Sequence, residues 1–322
     1  MKAAVYTRYG PPEVVTIAER PIPRPAPGQV LVKVYAATVN RTDCGFRSAV
    51  YVISRLFSGL FRPKFQVLGN EFAGVVEAVG DAGSPYQPGD RVFGYNDTSF
   101  GAHAEYMLMP ANGAMALIPE GLSFAQAAPI CEGAHYALCD IRAAKVSAGQ
   151  RVMVYGASGA IGSAAVQLLH HFGAAITAVC STAQVQLIQS LGADEVVDYT
   201  TQDFTATPQH FDFIFDAVGK SSFAQCKNML TPKGIYISTE LGKRSANVRL
   251  ALTTPLMGGK KVLFPIPTIS QQDVLFLRDL VANGQFKPLI DRSYPLDAIV
   301  EAYIYVETGQ KIGNVIIEVN GE

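Results

Sequence analysis

The stretch RVMVYGASGAIGSAAVQLLHHFG, residues 151–173, decides the fold. Its first five residues read as a short buried strand, and the part after the turn reads as an amphipathic helix. Between them lie Gly156, Ala157, Ser158, Gly159, Ala160, Ile161 and Gly162. Glycine permits the tight reversal, and small residues let the backbone approach a bound anion. The helix start then offers free N–H groups and the positive end of its dipole to a pyrophosphate. A turn that is only structural is the competing reading, and the surroundings favour the nucleotide site. Strand-like AAITAVC, DEVVDY, FDFIFDAVG and GIYISTE alternate with helix-like TAQVQLIQSLG and FAQCKNML, and KKVLFPIP reads as a last strand. That alternation predicts a parallel sheet with helices on both faces, an α/β, doubly wound domain.

Upstream the pattern is different. VLVKVYAATV (30–39) alternates and is β-branched, and EFAGVVEAVG and GDRVFGY continue it between Gly, Pro and Asp. These predict an all-β unit closing into a compact barrel. From Ser123 the chain reads as helical to Ala144, interrupted at Pro129. Downstream, DVLFLRDLVANG reads as a helix ending at a glycine, followed by extended SYPL, the helix LDAIVEAYIYVETG and a strand NVIIEV. That strand is expected to return to the N-terminal unit. The expected domains are 1–122 with 266–322, and 123–265.

Nearly half the residues are hydrophobic (49%), 16% are charged and the net charge is −1. This composition suits buried cores and carries no electrostatic case for nucleic acid or an anionic membrane as partner. The start MKAAVYTRYG lacks a signal-peptide pattern, and no run is long and apolar enough to span a bilayer. The five cysteines form no C-x-x-C pair. A cytoplasmic protein with reduced thiols is expected.

The second nucleotide-domain strand ends at Cys180-Ser181-Thr182, where an NAD-specific fold carries an acid for the ribose. Hydroxyls there can donate to a 2′-phosphate, so NADPH is the expected cofactor. Ser181 and Thr182 as caps of the next helix is the compatible structural reading.

Several blocks in order, PRPAPGQVLVKVYAATVNRTD, LGNEFAGVVEAVG, PGDRVFGY, GAHAEY, VYGASGAIGSAAVQLLHHFGA and KIGNVIIEV, resemble the quinone oxidoreductase branch of the medium-chain dehydrogenase/reductases, which contains zeta-crystallin. The resemblance covers essentially the whole chain. It implies a GroES-like β-barrel catalytic domain, a Rossmann domain, an active site in the cleft between them and a homodimer pairing the last Rossmann strand, residues 261–265. It implies NADPH contacts at residues 156–162, Ser181, Thr182, Tyr199, Val218 and Asn314. The branch often has a lysine after the second Rossmann strand, where Ala183 and Gln184 stand here; Lys243 or Arg244 is an alternative source of charge. Zinc-dependent relatives place Cys at Asn40, His at Asn70 and a third ligand near Ile130 or Cys131. A catalytic zinc needs three protein ligands, so no metal is expected.

Without a metal, donors must stabilise the oxyanion that hydride transfer builds on a quinone or enone. By resemblance Asn40 is the candidate donor. Asp43 either orients its loop, helps relay a proton, or caps a helix. Residues 45–64 read either as a lid carrying Tyr51, a candidate proton donor, or as a surface helix. Arg41 reads as exposed, and His103 and His135 read as packing residues before titrating ones. Cys131 falls beside the nicotinamide by resemblance, without an activating partner. The expected reaction is NADPH-dependent reduction of a quinone, with alkenal or enone double-bond reduction as the alternative and a non-catalytic nucleotide-binding protein as the second.

Overall fold

The computed structural model describes residues 1–50, 55, 58–81 and 83–321. The N-terminal part is built on β-structure. A short antiparallel pair, β1 (Lys2–Val5) and β2 (Thr16–Glu19), stands beside a larger sheet. Its centre is β3 (Gln29–Val39), which pairs antiparallel with β4 (Glu71–Val79) and with β6 (Tyr106–Pro110). β5 (Arg91–Tyr95) and β7 (Met115–Leu117) extend it beyond β4. The alternation read in 30–39 holds where Val30, Val32 and Val34 enter the core with Phe72 and Val92.

A capping box begins the helical stretch: Gln126 N donates to Ser123 Oγ and Ser123 N to Gln126 Oε1. Pro129 lies in a 3-10 turn (Ala128–Ile130) between helices Phe124–Ala127 and Glu132–Ala144. By their contacts, Met1–Glu132 and Ile269–Glu322 form one unit, and Gly133–Thr268 the other. Phe124 shows why residues 123–132 belong to the first: it stacks on Tyr35 at 4.5 Å, with the Arg91 guanidinium 4.5 Å from its ring centre.

The second unit is a wholly parallel sheet. Its strands are β8 (Arg151–Tyr155), β9 (Ala175–Cys180), β10 (Glu195–Asp198), β11 (Phe211–Asp216), β12 (Leu230–Ser238) and β13 (Lys261–Leu263), in the spatial order β10-β9-β8-β11-β12-β13. This is the doubly wound dinucleotide order, and it reverses between β8 and β11, where such sheets bind ligands. β8, β11 and β12 are apolar because both faces of the sheet are covered. Two elements differ from the reading. FAQCKNML is only a single helical turn, Phe223–Cys226, followed by a 3-10 turn. A helix at Ala246–Met257 was not expected.

The chain then returns to the first unit. Helix Gln271–Ala282 ends before Gly284, whose φ of +70° makes the left-handed stop. β14 (Ile290–Pro295), helix Ile299–Glu307 and β15 (Asn314–Glu318) follow. β15 joins the first sheet as expected, antiparallel to β3 with Val315 opposite Val39. No helix among the described residues is long and apolar enough to cross a membrane.

Arg47, in helix Arg41–Ser48, was grouped with a candidate lid, yet it is wholly buried. Its Nη1 donates to Gly10 O (2.7 Å), Nη2 pairs with Glu307, and the guanidinium lies 5.0 Å from the Tyr303 ring centre. Glu307 is partly exposed, so its removal strands a buried cation rather than opening a cavity. Glu307→Ala is therefore expected to destabilise the protein by about 2–3 kcal/mol in urea unfolding, far more than an ordinary surface change. A loss within about 0.5 kcal/mol would show that the pair is not needed to hold Arg47.

Candidate functional site

In the second unit, β8 runs into the glycine turn and on into helix Ala160–His171, whose N-cap is Gly159. Gly156 has φ +79°, and Gly156 N and Ala157 N both donate to Val179 O at 3.1 Å, tying the turn to the end of β9. A Cβ on Gly162 would lie 2.1 Å from Gly156 O, so glycine is required for the helix to start this close to the turn. The first N–H to find an intrahelical partner is that of Ser163, on Gly159 O. Those of Ala160, Ile161 and Gly162 precede it at the free end of the helix. Ala157, Ser158 and Gly159 complete a small-residue cradle of the kind a pyrophosphate occupies.

The opposite wall comes from β11. The Asp216 carboxylate, wholly buried at the strand end, accepts from the N–H groups of Val218, Gly219, Lys220 and Ser221 (2.8–3.3 Å) and from the Ser221 hydroxyl. The loop it folds sets Val218 against Gly156, where a Cβ would come within 2.5 Å of Val218 Cγ2. Asp216 was not singled out in the sequence. An acid ending a strand just before a glycine was its only signal.

At the ends of β9 and β10 the structure brings together Ser181, Thr182 and Tyr199, with Tyr199 N donating to Cys180 O. It also brings an acid there. Thr182 Oγ1 donates to Asp198 Oδ2 at 2.6 Å, and Thr200 donates twice to Asp198 Oδ1. These bonds hold the Asp198 carboxyl below its usual range, so it is ionised at neutral pH. β9, which leads into Thr182, ends without an acid, but its parallel neighbour supplies one, with Asp198 opposite Cys180. Lys243 and Arg244 lie in a 3-10 turn after β12, three strands from β9 in the sheet, and neither is among the groups that act on the Asp198 carboxyl.

The first unit holds a buried polar cluster. The register Ala37↔Phe72 sets Thr38 beside Glu71. Glu71 Oε2 accepts from Thr38 Oγ1 (2.8 Å) and Asn40 Nδ2 (3.1 Å). Glu71 Oε1 accepts from the N–H groups of Cys131 (2.8 Å) and Glu132 (2.5 Å). Asn40 Nδ2 also reaches Thr38 Oγ1 (2.7 Å) and Glu132 Oε2 (3.0 Å), while Thr42 Oγ1 donates to Glu132 Oε1 (2.6 Å). Burial raises both glutamates above their usual range, Glu71 further by the charge of Glu132, and Glu132 further by that of Asp43. Burial lowers the nearby Lys311 ammonium, against the pull of Glu132 and Glu71.

Asn40 therefore does something other than expected. Its amide hydrogens point at three internal oxygens, so in this arrangement it orients the two glutamates and does not face an incoming oxyanion. Asp43 is not a helix N-cap. Asn40 is the N-cap, and Asp43, third in the helix, completes a capping box with it: its carboxylate accepts from Asn40 N (2.9 Å) and from Gly69 N (3.0 Å), fastening the helix start to the loop before β4. Asn314 lies in the first unit, buried, with Nδ2 on Leu289 O (2.9 Å) and no partner for Oδ1. Tyr51 lies outside the described residues. Arg41 is exposed. His103 is buried between Thr38 O (2.8 Å at Nε2) and the Tyr303 hydroxyl (3.3 Å at Nδ1), and burial pushes its pKa down to about 4, so it is neutral. His135 is buried, its ring against Tyr136. Burial raises the Cys131 thiol well above its ordinary range, so it is no nucleophile.

Glu71, Thr42 and Lys311 have no role in the sequence reading because nothing local marks them, and Glu132 enters it only within Cys131-Glu132-Gly133-Ala134, which the resemblance sets beside the nicotinamide. The two glutamates are 61 positions apart. The donor chemistry does not fit zinc. Asn40 and Asn70 stand where zinc-dependent relatives have ligands, and both turn amide N–H groups, which have no lone pair for a cation, toward protein oxygens.

Two family models match the chain: an alcohol dehydrogenase GroES-like domain over residues 26–120 and a zinc-binding dehydrogenase domain over residues 191–317. A chloroplastic NADPH-dependent alkenal/one oxidoreductase of Arabidopsis thaliana is 31% identical over 98% of this chain and 79% of its own length. A human quinone oxidoreductase is 31% identical over 94% of this chain and 93% of its own length. The solved structure of a quinone oxidoreductase from Coxiella burnetii superposes with a TM-score of 0.88 at 26% identity, covering 99% of each chain. With a GroES-like unit, a doubly wound nucleotide unit and, among the described residues, no group of side chains that could hold a metal ion, the chain belongs to the zinc-free, quinone oxidoreductase-like branch of the medium-chain dehydrogenase/reductases and is a pyridine-nucleotide-dependent oxidoreductase.

Proposed function

We propose that this protein reduces quinones with NADPH, and that α,β-unsaturated aldehydes or ketones are its alternative acceptors. The observation that carries the reading is the cradle at Gly156–Gly162, fitted to a pyrophosphate at the reversal point of the sheet. The names of the human and Arabidopsis relatives support the two acceptor classes. The bound nicotinamide supplies the hydride. The chain's own residues hold the pyrophosphate at the glycine turn and the adenosine end at Ser181, Thr182 and Tyr199. Val218 presses on the turn from the β11 side. With Asn40 engaged by Glu71 and Glu132, the proton that completes reduction comes from the cluster it organises. The test is NADPH oxidation with a small quinone and an unsaturated aldehyde offered separately. Faster turnover of the quinone supports the first reading, and the reverse makes the protein an alkene reductase. Tight NADPH binding without any turnover would replace both with a binding role.

Asp198 limits the preference for NADPH, because an ionised carboxylate beside Thr182 repels a 2′-phosphate and leaves a 2′-hydroxyl undisturbed. Asp198→Asn is expected to tighten NADPH binding about fivefold with little change for NADH, read by fluorescence titration at low salt. An equal change for both cofactors would place Asp198 away from the phosphate.

Among the described residues β13 of the nucleotide unit pairs with β12 and with no second strand, and nearby Leu252, Leu256, Met257 and Ile266 are exposed. We propose a homodimer through this edge; a monomer in sedimentation at micromolar concentration would exclude it.

A further inference from the structure

We propose that Glu71 and Glu132 hold a single proton between them, and that Glu132 passes it through the Thr42 hydroxyl to the anion formed by hydride transfer. The delivery step rests on the proposed function, whereas the shared proton does not.

Geometry carries the inference. The Oε2 atoms of both glutamates accept from the same Asn40 nitrogen, at 3.1 and 3.0 Å, so one amide bridges two carboxyl groups in a buried site. Two adjacent carboxylates cannot both ionise there cheaply, and one raised acid is the usual result. The surrounding charges set the count. Lys311, half-buried with its Nζ on Gly313 O (2.6 Å), is the cation acting on both, and Asp43, itself raised to about 7 by burial, Cys44 and Asp291 are the other groups acting on Glu132 or Lys311. His103 is neutral, and the Cys131 thiol keeps its proton. One ammonium beside a pair carrying one proton leaves that pair electrically balanced. Asn70 also hydrogen-bonds Glu132, which works against the rise that burial causes, and its buried Oδ1 has no partner.

The outlet follows from exposure. Glu71 is sealed, with both oxygens occupied by the protein's own donors. Glu132 has Oε1 on Thr42, which is only half-buried, at 2.6 Å. A hydroxyl both donates and accepts, so Thr42 can take a proton from Glu132 while giving its own outward. The balance is complete: acceptor plus hydride gives an anion, and that anion takes the Thr42 proton. Thr42 takes the proton of Glu132, and water returns one to the pair. Glu71 and Asn40 are positioning residues in this scheme.

Two measurements test it. Infrared difference spectra of cofactor-free protein, wild type minus the Glu71→Gln/Glu132→Gln double variant at pH 7, are expected to contain one protonated-carboxyl stretch that disappears as the pH is raised. No such band would mean that both groups are ionised and would overturn the shared proton. In turnover with the preferred acceptor, wild-type kcat is expected to fall as the pH rises and the pair loses its proton. Glu132→Gln should lower kcat at least about tenfold, flatten that limb and leave NADPH binding unchanged. Thr42→Val should behave alike, and Thr42→Ser should restore most of the rate. Wild-type kcat and an unchanged alkaline limb in both Glu132→Gln and Thr42→Val would overturn the relay. Absence of turnover in the wild type would remove the hydride-transfer reading and the delivery step together, while the infrared band would still decide the shared proton.

Discussion

Gly162→Ala is expected to weaken NADPH binding about 100-fold while the protein still folds. The added Cβ would meet only backbone: Gly156 O at 2.1 Å, Ala157 Cα at 2.8 Å and Gly156 C at 2.9 Å. None of these can rotate aside, so the helix start has to lift away from the turn. The free N–H groups then leave the position where they meet a pyrophosphate. Losing two charge-assisted hydrogen bonds at about 1.5 kcal/mol each is enough for a change of that size. The rest of helix Ala160–His171 keeps its buried face, Ala164, Ala165, Leu168 and Leu169, so the unit should retain its circular dichroism and a cooperative melt. Fluorescence titration with NADPH checks the affinity. A dissociation constant within twofold of wild type would show that the cradle is not the cofactor's anchor.

Glu71→Ala is the second large effect, and it falls on stability. Three buried donors lose the acceptor that Glu71 gives them, the N–H groups of Cys131 and Glu132 and the Thr38 hydroxyl, while the Asn40 amide keeps Thr38 Oγ1 and Glu132 Oε2. At about 1–3 kcal/mol for each stranded group, partly relieved by water, the loss should exceed about 4 kcal/mol in urea unfolding at pH 6. Glu71→Gln keeps the shape and one acceptor, so it should cost less than half as much. The pH dependence has a definite sign. The folded-state pKa of Glu71 is raised above 4.5, so its contribution is fully present below that value and fades as the pH rises through the raised one. Glu71→Gln should therefore lose less stability than wild type between pH 6 and pH 9. A Glu71→Ala variant as stable as wild type would mean that the cluster does not hold residues 130–132 against β4.

The parts of the molecule legible in the sequence were those with local cause. The glycine turn depends on residues within one stretch, and each parallel strand announces itself as a short apolar run between helices. The return of β15 to the first sheet was legible because NVIIEV is a strand with no place in the alternation. The helix Ala246–Met257 escaped notice for physical reasons. It contains Pro255, leaves Leu252, Leu256 and Met257 exposed, and begins after Arg244 and Ser245, two non-glycine residues at positive φ. Its apolar residues therefore do not trace one buried face.

The chemistry was less legible than the fold. Asn40 was found as a polar residue at a metal-ligand position, but what its amide binds depends on Glu71 and Glu132, brought in from a distant strand and from the start of a distant helix. Asp198 reaches Thr182 only because β9 and β10 are parallel neighbours. Arg47 belongs to residues 45–64, which read as a lid or a surface helix, and it is helix Ile299–Glu307 that supplies Tyr303 and Glu307 around it. In each case the deciding partner is far away in sequence, and single-chain periodicity carries no such information.

The central claim is hydride transfer from a reduced nicotinamide without a metal. Its most direct test is NADPH oxidation by protein whose metal content has been measured, before and after chelation, with a small quinone as acceptor. Turnover is expected at far less than one zinc per chain, unchanged by the chelator. Activity that rises and falls with bound zinc would contradict it.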